Sequence, residues 1–351
     1  MNIERPDLSQ INPQVRAYIE ALEAELEELR QGKRRSAPGA QPAEPLEPSE
    51  PPTTFNVITL TASGLAKRTP RHFYTRQRRG GMGVFDIETS EDDPPLTLII
   101  ADESQGLVLI TDQARAFRLP VSELPEAPVR SRGQPMTERL SLRPDENPAL
   151  LLVDQGAGYV ILLTRRGHLR RLRYHYFGEN LRPGTRMYDV NELGPPAAAS
   201  WSQGDAELFI ATRQGRATRF AERLVPSTGC LGVRLEPGDS AVAVTTIDSE
   251  SRVFLLGADG KGTLRFMSGF SANKSPGASG KIAIKTDELV AAFAVDDYDD
   301  IFAISRLSKI VRFQAGEVPA KEGAVQGVNC MALRGDEVIA ALGSPIAQPN
   351  L

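Results

Sequence analysis

The feature that most constrains the fold is a strand–turn–strand unit that occurs six times between Phe55 and the C-terminal region. Each unit has an apolar run of β-type residues, a turn, and a second short run containing arginine. The turn residues are separated by 50, 53, 48, 45 and 48 positions, and they are Gly64, Ala114, Gly167, Gly215, Gly260 and Ser308. Most units continue with a glycine-containing loop and another apolar strand. A period of roughly 40–50 residues with about four strands per unit is typical of a propeller-like array.

We therefore predict an all-β fold for residues 55–345, a propeller-like array of six four-stranded blades. The blades are expected to start near residues 57, 106, 158, 206, 251 and 300. Radial closure would protect the strand edges, so the six units account for this region without a second fold.

The residues before the repeats form two further segments. Residues 1–32 are predicted to hold a short helix, because its apolar positions lie 4, 3, 4 and 3 residues apart. These positions are Val15, Ile19, Leu22, Leu26 and Leu29. The spacing indicates a small coil that makes a homo-oligomer, but it also fits a helix that packs on its own domain or one that is ordered only part of the time. Residues 33–54, with six prolines between Pro38 and Pro52, are predicted to be a disordered, partly extended tether.

Composition excludes several classes of protein. The two cysteines, Cys230 and Cys330, argue against a disulfide scaffold, and the three scattered histidines argue against a zinc cluster. With no long apolar run and no apolar secretion signal, we expect a cytoplasmic protein without membrane contact, metal or cofactor. The net charge is −4, and residues 55–351 contain 35 basic and 35 acidic side chains. What the surface binds therefore depends on how charge is distributed locally.

Arginine recurs at one register of the repeat. It follows the turn by four residues in five units and by five residues in the remaining unit, giving Arg68, Arg118, Arg171, Arg219, Arg265 and Arg312. One such arginine would be interpreted as pairing with an acid on the next blade. Six in register predict a belt of cations on the rim, suited to a bent phosphate backbone bound without base reading.

Two shorter stretches carry concentrated charge. The segment "RRGHLRRLRYHYF" begins at Arg165, and we predict DNA contact for its arginines and packing for its aromatic residues. The arginines proposed there are Arg165, Arg166, Arg170 and Arg171. The segment "VDDYDD", residues 295–300, is predicted to be an acidic inter-blade turn that DNA avoids, rather than a metal loop, because EF-hand spacing is absent.

Glycine and fixed positive charge meet in "QRRGGMG", residues 77–83. Glycine lets the backbone approach a phosphate closely, and we predict that the amides of Gly80 and Gly81 form an anion-holding concavity. Arg78 and Arg79 would supply charge beside it, and Gln77 could donate to a phosphate oxygen or to a neighbouring loop. Without further context, the same residues also fit a flexible surface loop.

The wider segment "TASGLAKRTPRHFYTRQRRGGMGVFDI" resembles the first blade of the DNA gyrase A C-terminal domain, a β-pinwheel family whose signature box reads QRRGGKG. Gln77, Arg78, Arg79, Gly80, Gly81 and Gly83 match the box, and Met82 stands where the family has lysine. The resemblance extends across all six units, to about Leu342. It implies a six-bladed β-pinwheel whose basic outer edge binds and bends duplex DNA, with the box needed for wrapping. Lys67 and Arg71 in the same segment complete the set of predicted DNA contacts.

The resemblance also sets an expectation about catalysis. Only 54 residues precede the first repeat, and the strand-cleaving tyrosine of the family has no counterpart here. We therefore expect a protein that is not an enzyme and that wraps double-stranded DNA, influencing DNA topology or nucleoid architecture. Two alternatives remain: an accessory that acts in trans on gyrase or topoisomerase IV subunits, and a protein-interaction propeller that has lost DNA binding.

Overall fold

The computed structural model describes residues 50–344 together with Val15 and Ile19. These two residues are helical and Val15 is exposed. Leu22, Leu26 and Leu29 lie outside the described residues, as does the predicted tether up to residue 49, so the coil and the tether remain predictions. No helix among the described residues is long and apolar enough to cross a bilayer.

The strands follow the sequence repeat, unit by unit. Units 1 and 2 contain β1 (Phe55–Thr61), β2 (Leu65–Pro70), β3 (Val84–Phe85), β4 (Ile87–Glu88), β5 (Pro95–Asp102), β6 (Gly106–Thr111), β7 (Arg115–Pro120), β8 (Ser131–Arg132), β9 (Gln134–Pro135) and β10 (Pro148–Val153). Units 3 and 4 contain β11 (Tyr159–Thr164), β12 (His168–Arg173), β13 (Thr185–Arg186), β14 (Pro196–Ser202), β15 (Glu207–Thr212), β16 (Arg216–Ala221), β17 (Cys230–Leu231), β18 (Val233–Arg234) and β19 (Ala241–Ile247). Units 5 and 6 contain β20 (Arg252–Gly257), β21 (Lys261–Phe266), β22 (Ala278–Ser279), β23 (Lys281–Ile282), β24 (Leu289–Val295), β25 (Asp300–Ser305), β26 (Lys309–Gln314), β27 (Ala320–Lys321), β28 (Val328–Asn329) and β29 (Val338–Ser344).

Helical structure within residues 50–344 is confined to short turns. The α-helical turns are α1 (Thr137–Leu140) and α2 (Val190–Leu193), and the 3-10 turns are Arg71–Phe73, Val121–Glu123, Tyr174–Tyr176, Glu222–Leu224 and Ala315–Glu317. Each 3-10 turn directly follows the second strand of a hairpin. The predicted all-β, six-bladed fold is confirmed.

The hairpin turns explain one part of the repeat. The turn residue has a positive φ in every unit, at Gly64, Ala114, Gly167, Gly215, Gly260 and Ser308. Glycine adopts this conformation without a Cβ penalty, which accounts for its presence in most units. The strand that precedes the turn is buried on both faces, as in β1, β6 and β25. For this reason the apolar runs are nearly continuous rather than alternating.

Each sheet is completed by a strand from another unit. The return strand pairs with the first hairpin strand, the second hairpin strand follows, and its outer edge pairs with a short strand donated by the next unit. These exchanged pairs are β2–β9, β7–β13, β12–β17, β16–β23 and β21–β28. In unit 6 the donor is unit 1, because β3 pairs with β26 in the register Lys309↔Phe85 and Ile310↔Val84. Strand exchange therefore closes the blades into a ring.

The core is distributed between neighbouring blades rather than concentrated in one centre. One cluster joins Ile58 and Leu60 of unit 1 to Leu107 and Phe117 of unit 2. Another joins Val57 and Tyr74 to Phe302 and Ile304 of unit 6, so the seam of the ring is packed like the other junctions. The six return strands surround a central cavity of about 980 Å³ that is lined largely by small and apolar side chains such as Ala198, Ala243 and Ala291.

Candidate nucleic-acid interface

Most of the repeated arginines lie between blades rather than on the rim. Arg219 and Arg312 are 6% and 5% exposed. Arg219 Nη1 donates to the carbonyl of Phe270 at 3.1 Å, and Arg312 Nη1 donates to that of Tyr74 at 3.0 Å. Each guanidinium thereby links its blade to the loop that follows the second hairpin strand of the next unit. Arg68 does the same through Nε and the carbonyl of Leu124 at 2.9 Å.

Carboxylates neutralise most of these arginines. Arg312 Nε lies 2.8 Å from Asp300 Oδ2, Arg171 Nε lies 2.7 Å from Glu222 Oε1, and Arg118 Nη2 lies 2.7 Å from Asp154 Oδ2. Arg68 lies between Glu103 and Glu126, and Arg219 pairs with Glu207. Of the six, Arg118 alone is exposed, and it is paired with Asp154. The predicted belt of exposed cations is therefore wrong for this register. The second hairpin strand is covered by the next blade, so a long side chain there spans the junction and satisfies buried acceptors.

Arg265 departs from the other five in its position and its surroundings. It follows the turn by five residues, so Leu264 occupies the register that arginine holds elsewhere and Arg265 faces the opposite side of β21. Arg265 is 4% exposed, and its Nε and Nη1 have no hydrogen-bond partner among the described residues. It packs against the Phe270 ring at 5.7 Å, and burial lowers the pKa of its guanidinium. Arg265 therefore contributes no exposed charge.

This difference predicts opposite effects of one substitution at two arginines. Arg265→Leu is expected to raise the free energy of unfolding by about 1–3 kcal/mol, because it removes a buried group whose hydrogen bonds are unmade. Arg219→Leu is expected to lower the free energy of unfolding by about 3 kcal/mol, because it leaves Glu207 and two carbonyl groups without their donor. Urea unfolding of both variants measures the difference, and a destabilised Arg265→Leu protein would contradict this interpretation.

Lys67 and Arg71 are also buried, and Arg170 is partly buried. Lys67 and Asp86 have no exposed side-chain area, and Lys67 Nζ lies 2.8 Å from Asp86 Oδ1. Arg71 is buried, pairs with Glu50 and donates to Ser344 Oγ at 2.8 Å. Arg170 is partly buried, and its buried Nε has no hydrogen-bond partner in the described part of the chain. The prediction that Lys67 and Arg71 contact DNA directly is wrong, because both cations are already enclosed with carboxylates.

The segment Gln77–Gly83, which we term the box, is a folded latch between units 1 and 6. The amide of Gln77 donates to the carbonyl of Arg312 at 2.7 Å, and the amide of Gly80 donates to that of Cys330 at 2.8 Å. The amide of Gly81 donates to the carbonyl of Arg78 at 3.1 Å. The predicted anion-holding concavity is therefore wrong, because both glycine amides already have protein acceptors.

The glycines of the box permit close approach to protein rather than to phosphate. Gly83 has a φ of +72°, and a Cβ there would lie 2.7 Å from the carbonyl oxygen of Ile310 in β26. A Cβ on Gly81 would lie 2.4 Å from Gln77 Oε1. That same oxygen accepts a hydrogen bond from the Gly83 amide at 3.3 Å, so Gln77 supports the loop from within.

The charged side chains of the box do remain accessible. Arg78 and Arg79 are both exposed. The backbone of Arg79 is fixed by its amide, which donates to Glu317 Oε2 at 3.0 Å, while its Nη1 donates to the carbonyl of Asn329 at 3.2 Å. Met82 is 54% exposed and carries no charge at the position next to Gly83.

A second set of cations lies on the loops that contain the short donated strands. Some are on strands that pair with the outer hairpin strand of a blade, and the others are on β8 and β18, which pair with β4 and β22. Units 2 to 6 each place an exposed arginine or lysine on one of the short strands between the hairpin and the return strand. Together with the two box arginines we call them the edge cations: Arg78, Arg79, Arg132, Arg186, Arg234, Lys281 and Lys321. Among the described residues none of them forms an ion pair with a carboxylate. The sequence analysis did not identify the last five, although each lies within three residues of a glycine in the loop that follows the hairpin.

The remaining predicted arginines lie elsewhere. Arg165 and Arg166 are exposed on the hairpin turn of unit 3. Arg165 lines the mouth of the central cavity, and Arg166 Nη1 donates to the carbonyl of Asn191 at 3.0 Å. The structure therefore does not bring them together with the edge cations.

The acidic segment is a turn between β24 and β25, as predicted. The amide of Asp299 donates to the carbonyl of Asp296 at 3.1 Å, and Asp300 is enclosed by Arg76 and Arg312. Burial raises the pKa of Asp299. Tyr298 at the tip is 73% exposed. Within the described part of the chain, no three histidine, cysteine or acidic residues are grouped so that they could hold a metal ion.

Comparisons with known proteins agree with this architecture. A family model described as the DNA gyrase C-terminal domain, beta-propeller, matches residues 56–94, 107–146, 206–248 and 299–344. The chain is 27% identical over 299 residues to the DNA gyrase A protein of Mycolicibacterium smegmatis, covering 81% of this chain and 35% of that protein. It is also 27% identical over 309 residues to the DNA gyrase A protein of Escherichia coli K12, covering 84% and 35%. The chain thus spans about a third of the length of these relatives.

Two solved structures share the fold. A DNA gyrase A C-terminal domain superposes with a TM-score of 0.74 and 22% identity, covering 82% of this chain and 98% of the other. The C-terminal domain of DNA topoisomerase IV superposes with a TM-score of 0.57 and 18% identity, covering 84% and 94%.

Proposed function

Because this chain belongs to the DNA gyrase C-terminal domain family, we propose that it binds duplex DNA around the outer edge of its ring and bends it. Its role would be to influence DNA topology or nucleoid architecture, within the bacterial cytoplasm. Binding is proposed to be non-catalytic and without strong sequence preference. Gyrase or topoisomerase IV subunits are proposed as further partners, and a homo-oligomer through the heptad positions remains part of the proposal.

The observation that carries this proposal is the set of edge cations. They occur in every unit, they are exposed, and among the described residues they lack carboxylate partners. A cation that already pairs with a carboxylate has little to offer a phosphate, whereas an unpaired one can replace the condensed counterions of DNA. The edge cations therefore take the role that the sequence predicts for the repeated arginines, from a different part of each unit.

The energetic balance favours a bend over several blades. Smooth bending of a short duplex costs roughly 1–6 kcal/mol. Neutralising about six to ten phosphates gives enough binding free energy at moderate salt to offset that cost. The acidic turn at residues 296–300 and the exposed Glu322 lie in units 5 and 6, so the DNA path is proposed to favour units 1 to 4.

The test is a salt titration of binding to a duplex of about a hundred base pairs, a length below the roughly 150 base pairs of one persistence length. The triple variant Arg132→Gln/Arg186→Gln/Arg234→Gln should bind more weakly. Its slope of log affinity against log salt should be shallower by about 0.9 for each phosphate that the variant no longer neutralises. Its thermal unfolding should match the wild type, because the three side chains are exposed.

The control is Arg306→Gln, which removes an exposed arginine that is paired with Glu337 at 3.2 Å on the hairpin turn of unit 6. It should leave both affinity and slope unchanged. The control removes one charge and the triple variant removes three. A change of slope in the control of about one third of that in the triple variant would therefore show that net charge, rather than the edge cations, governs binding. Absence of salt-dependent binding by the wild type would favour the protein-interaction alternative.

A further inference from the structure

The tips of three 3-10 turns expose large apolar side chains at one position of the repeat. The third residue of the turn is Phe73 in unit 1, Tyr176 in unit 3 and Leu224 in unit 4, and these side chains are 54%, 49% and 37% exposed. Units 2 and 6 have Glu123 and Glu317 at this position. The apolar tips are therefore confined to units 1, 3 and 4, although the turn itself recurs more widely.

The two aromatic tips are held in place by their surroundings. The ring of Phe73 lies 4.4 Å from that of His72, whose Nδ1 accepts a hydrogen bond from the Thr53 amide at 3.4 Å. The ring of Tyr176 lies 4.1 Å from that of His175. The first residue of each turn is turned inward: Arg71 is buried, and the Tyr174 ring lies 6.0 Å from that of Trp201. The turn beneath each aromatic tip is thus anchored through its first residue.

Exposed cations accompany each tip along the chain. Arg173 immediately precedes the turn of unit 3, Arg223 is adjacent to Leu224, and Arg78 follows Phe73 by five residues, and all three arginines are exposed. An apolar side chain on a short turn, flanked by positive charge, complements the minor groove of a polyanion, where Phe, Leu and similar residues enter between base steps and kink the duplex. An apolar protein partner would offer no negative charge for these flanking cations to bind.

We propose that Phe73, Tyr176 and Leu224 are wedges that contact the minor groove and localise the bend of duplex DNA at units 1, 3 and 4. The inference rests on the proposed duplex binding, and it adds what that function does not supply, a means of concentrating curvature. The edge cations hold the phosphates, and the tips unstack base steps where the backbone faces them. Units 2 and 6, with glutamate at the tip, would let DNA pass without a kink.

The experiment uses the full chain and a duplex of about a hundred base pairs with a fluorescent donor and acceptor at its ends, short enough that bends dominate its shape. The double variant Phe73→Ser/Tyr176→Ser should bind with an unchanged salt slope, because it keeps every cation. Its affinity should fall about three- to tenfold, and energy transfer at saturation should decrease, because the kinks that wedges induce disappear. Tyr298→Ser is the matched control, an exposed aromatic in the acidic turn, and should change neither quantity.

The outcomes separate this inference from the function on which it rests. If wild type and double variant bind and bend DNA alike, the wedges are overturned while duplex binding stands. If the wild type does not bind at all, both proposals are overturned. If the Tyr298 control loses as much energy transfer as the double variant, exposed aromatics act non-specifically and the wedges are again overturned.

Discussion

Asp86→Ala is expected to lower the free energy of unfolding by about 3–5 kcal/mol, because it leaves a buried ammonium group without its counter-charge. Lys67 and Asp86 have no exposed side-chain area, and their charged atoms lie 2.8 Å apart. Thr59 Oγ1 donates to the same carboxylate at 2.5 Å, and the Tyr74 hydroxyl donates to it as well. Burial, with the adjacent carboxylate, raises the pKa of Tyr74 well above its usual value, so the phenol stays a donor.

The backbone of Asp86 makes this site a junction between three units. Its amide donates to the carbonyl of Ser308 in unit 6 at 2.8 Å, and its carbonyl accepts from the amide of Arg130 in unit 2 at 2.8 Å. Lys67 Nζ also donates to the carbonyl of Pro128 at 3.0 Å. Loss of the carboxylate is therefore expected to loosen the ring closure as well as the core of unit 1.

Urea unfolding measures the effect, and a paired substitution controls for it. Lys67→Met/Asp86→Leu removes both charges together and should be less destabilised than Asp86→Ala, because neither partner is left buried and unpaired. Glu88→Ala, at an exposed position two residues along the chain, should be close to neutral. A loss below about 1 kcal/mol in Asp86→Ala would contradict a network whose unpaired charge costs several kcal/mol.

Gly83→Ala is the second substitution with a large expected effect, a loss of about 2–5 kcal/mol. A left-handed residue with a Cβ costs roughly 1–2 kcal/mol, and overpacking typically adds about 1–3 kcal/mol. The added Cβ would lie 2.7 Å from the carbonyl oxygen of Ile310. That atom belongs to the backbone of β26, which cannot yield without disturbing the β3–β26 pairing that closes the ring.

Gly156 provides the matched control for this substitution. Its φ is +74°, similar to that of Gly83, but a Cβ there would meet no atom within 4 Å. Gly156→Ala should therefore cost only the conformational part, about 1–2 kcal/mol. Hydrogen exchange should report faster opening of the Gly80 and Ala332 amides in Gly83→Ala alone. Equal destabilisation of the two variants would show that the approach to β26 is not what requires glycine.

The six-bladed ring could be predicted from the sequence because each of the six units repeats the same local pattern. The turn residues, spaced 45 to 53 positions apart, need positive φ, and the two-sided burial of the first hairpin strand requires a continuous apolar run. These are local requirements, and each unit displays them. The donation of β3 to β26 was not predictable, because it pairs residues more than two hundred positions apart and its short strands carry little pattern of their own.

The site was harder to predict than the fold. The register of Arg219 and Arg312 was evident, but the sequence does not say that the next blade covers that face of the strand. A nearby acid was a usable signal: Glu207 and Asp300 each lie 12 residues before their arginine. Each acid is two residues from the direct cross-strand partner of its arginine, and therefore on the same face of the hairpin. In unit 5 the first residue of the hairpin is Arg252, where units 4 and 6 have an acid, and Arg252 pairs with Asp297. Arg265 accordingly has no carboxylate from its own hairpin.

Two features of the box agree with the sequence prediction, but the structure gives a different physical reason for each. Glycine is required there, as expected, but the close neighbour is the backbone of unit 6 rather than a phosphate. Arg78 and Arg79 are accessible, as expected, but they owe their position to a latch that also closes the ring. The box thus combines a role in stability with a proposed role in DNA contact. Substitution of Arg78 should weaken DNA binding, whereas substitution of Gly83 should lower the free energy of unfolding.

The central claim, that the ring bends duplex DNA along its edge, is tested most directly by ligase-catalysed circularisation of a linear duplex of about 150 base pairs, close to one persistence length. Bound wild-type protein should accelerate circularisation at low salt, and the acceleration should disappear as salt displaces the phosphate contacts. Protein that binds this duplex without accelerating its circularisation would contradict the claim.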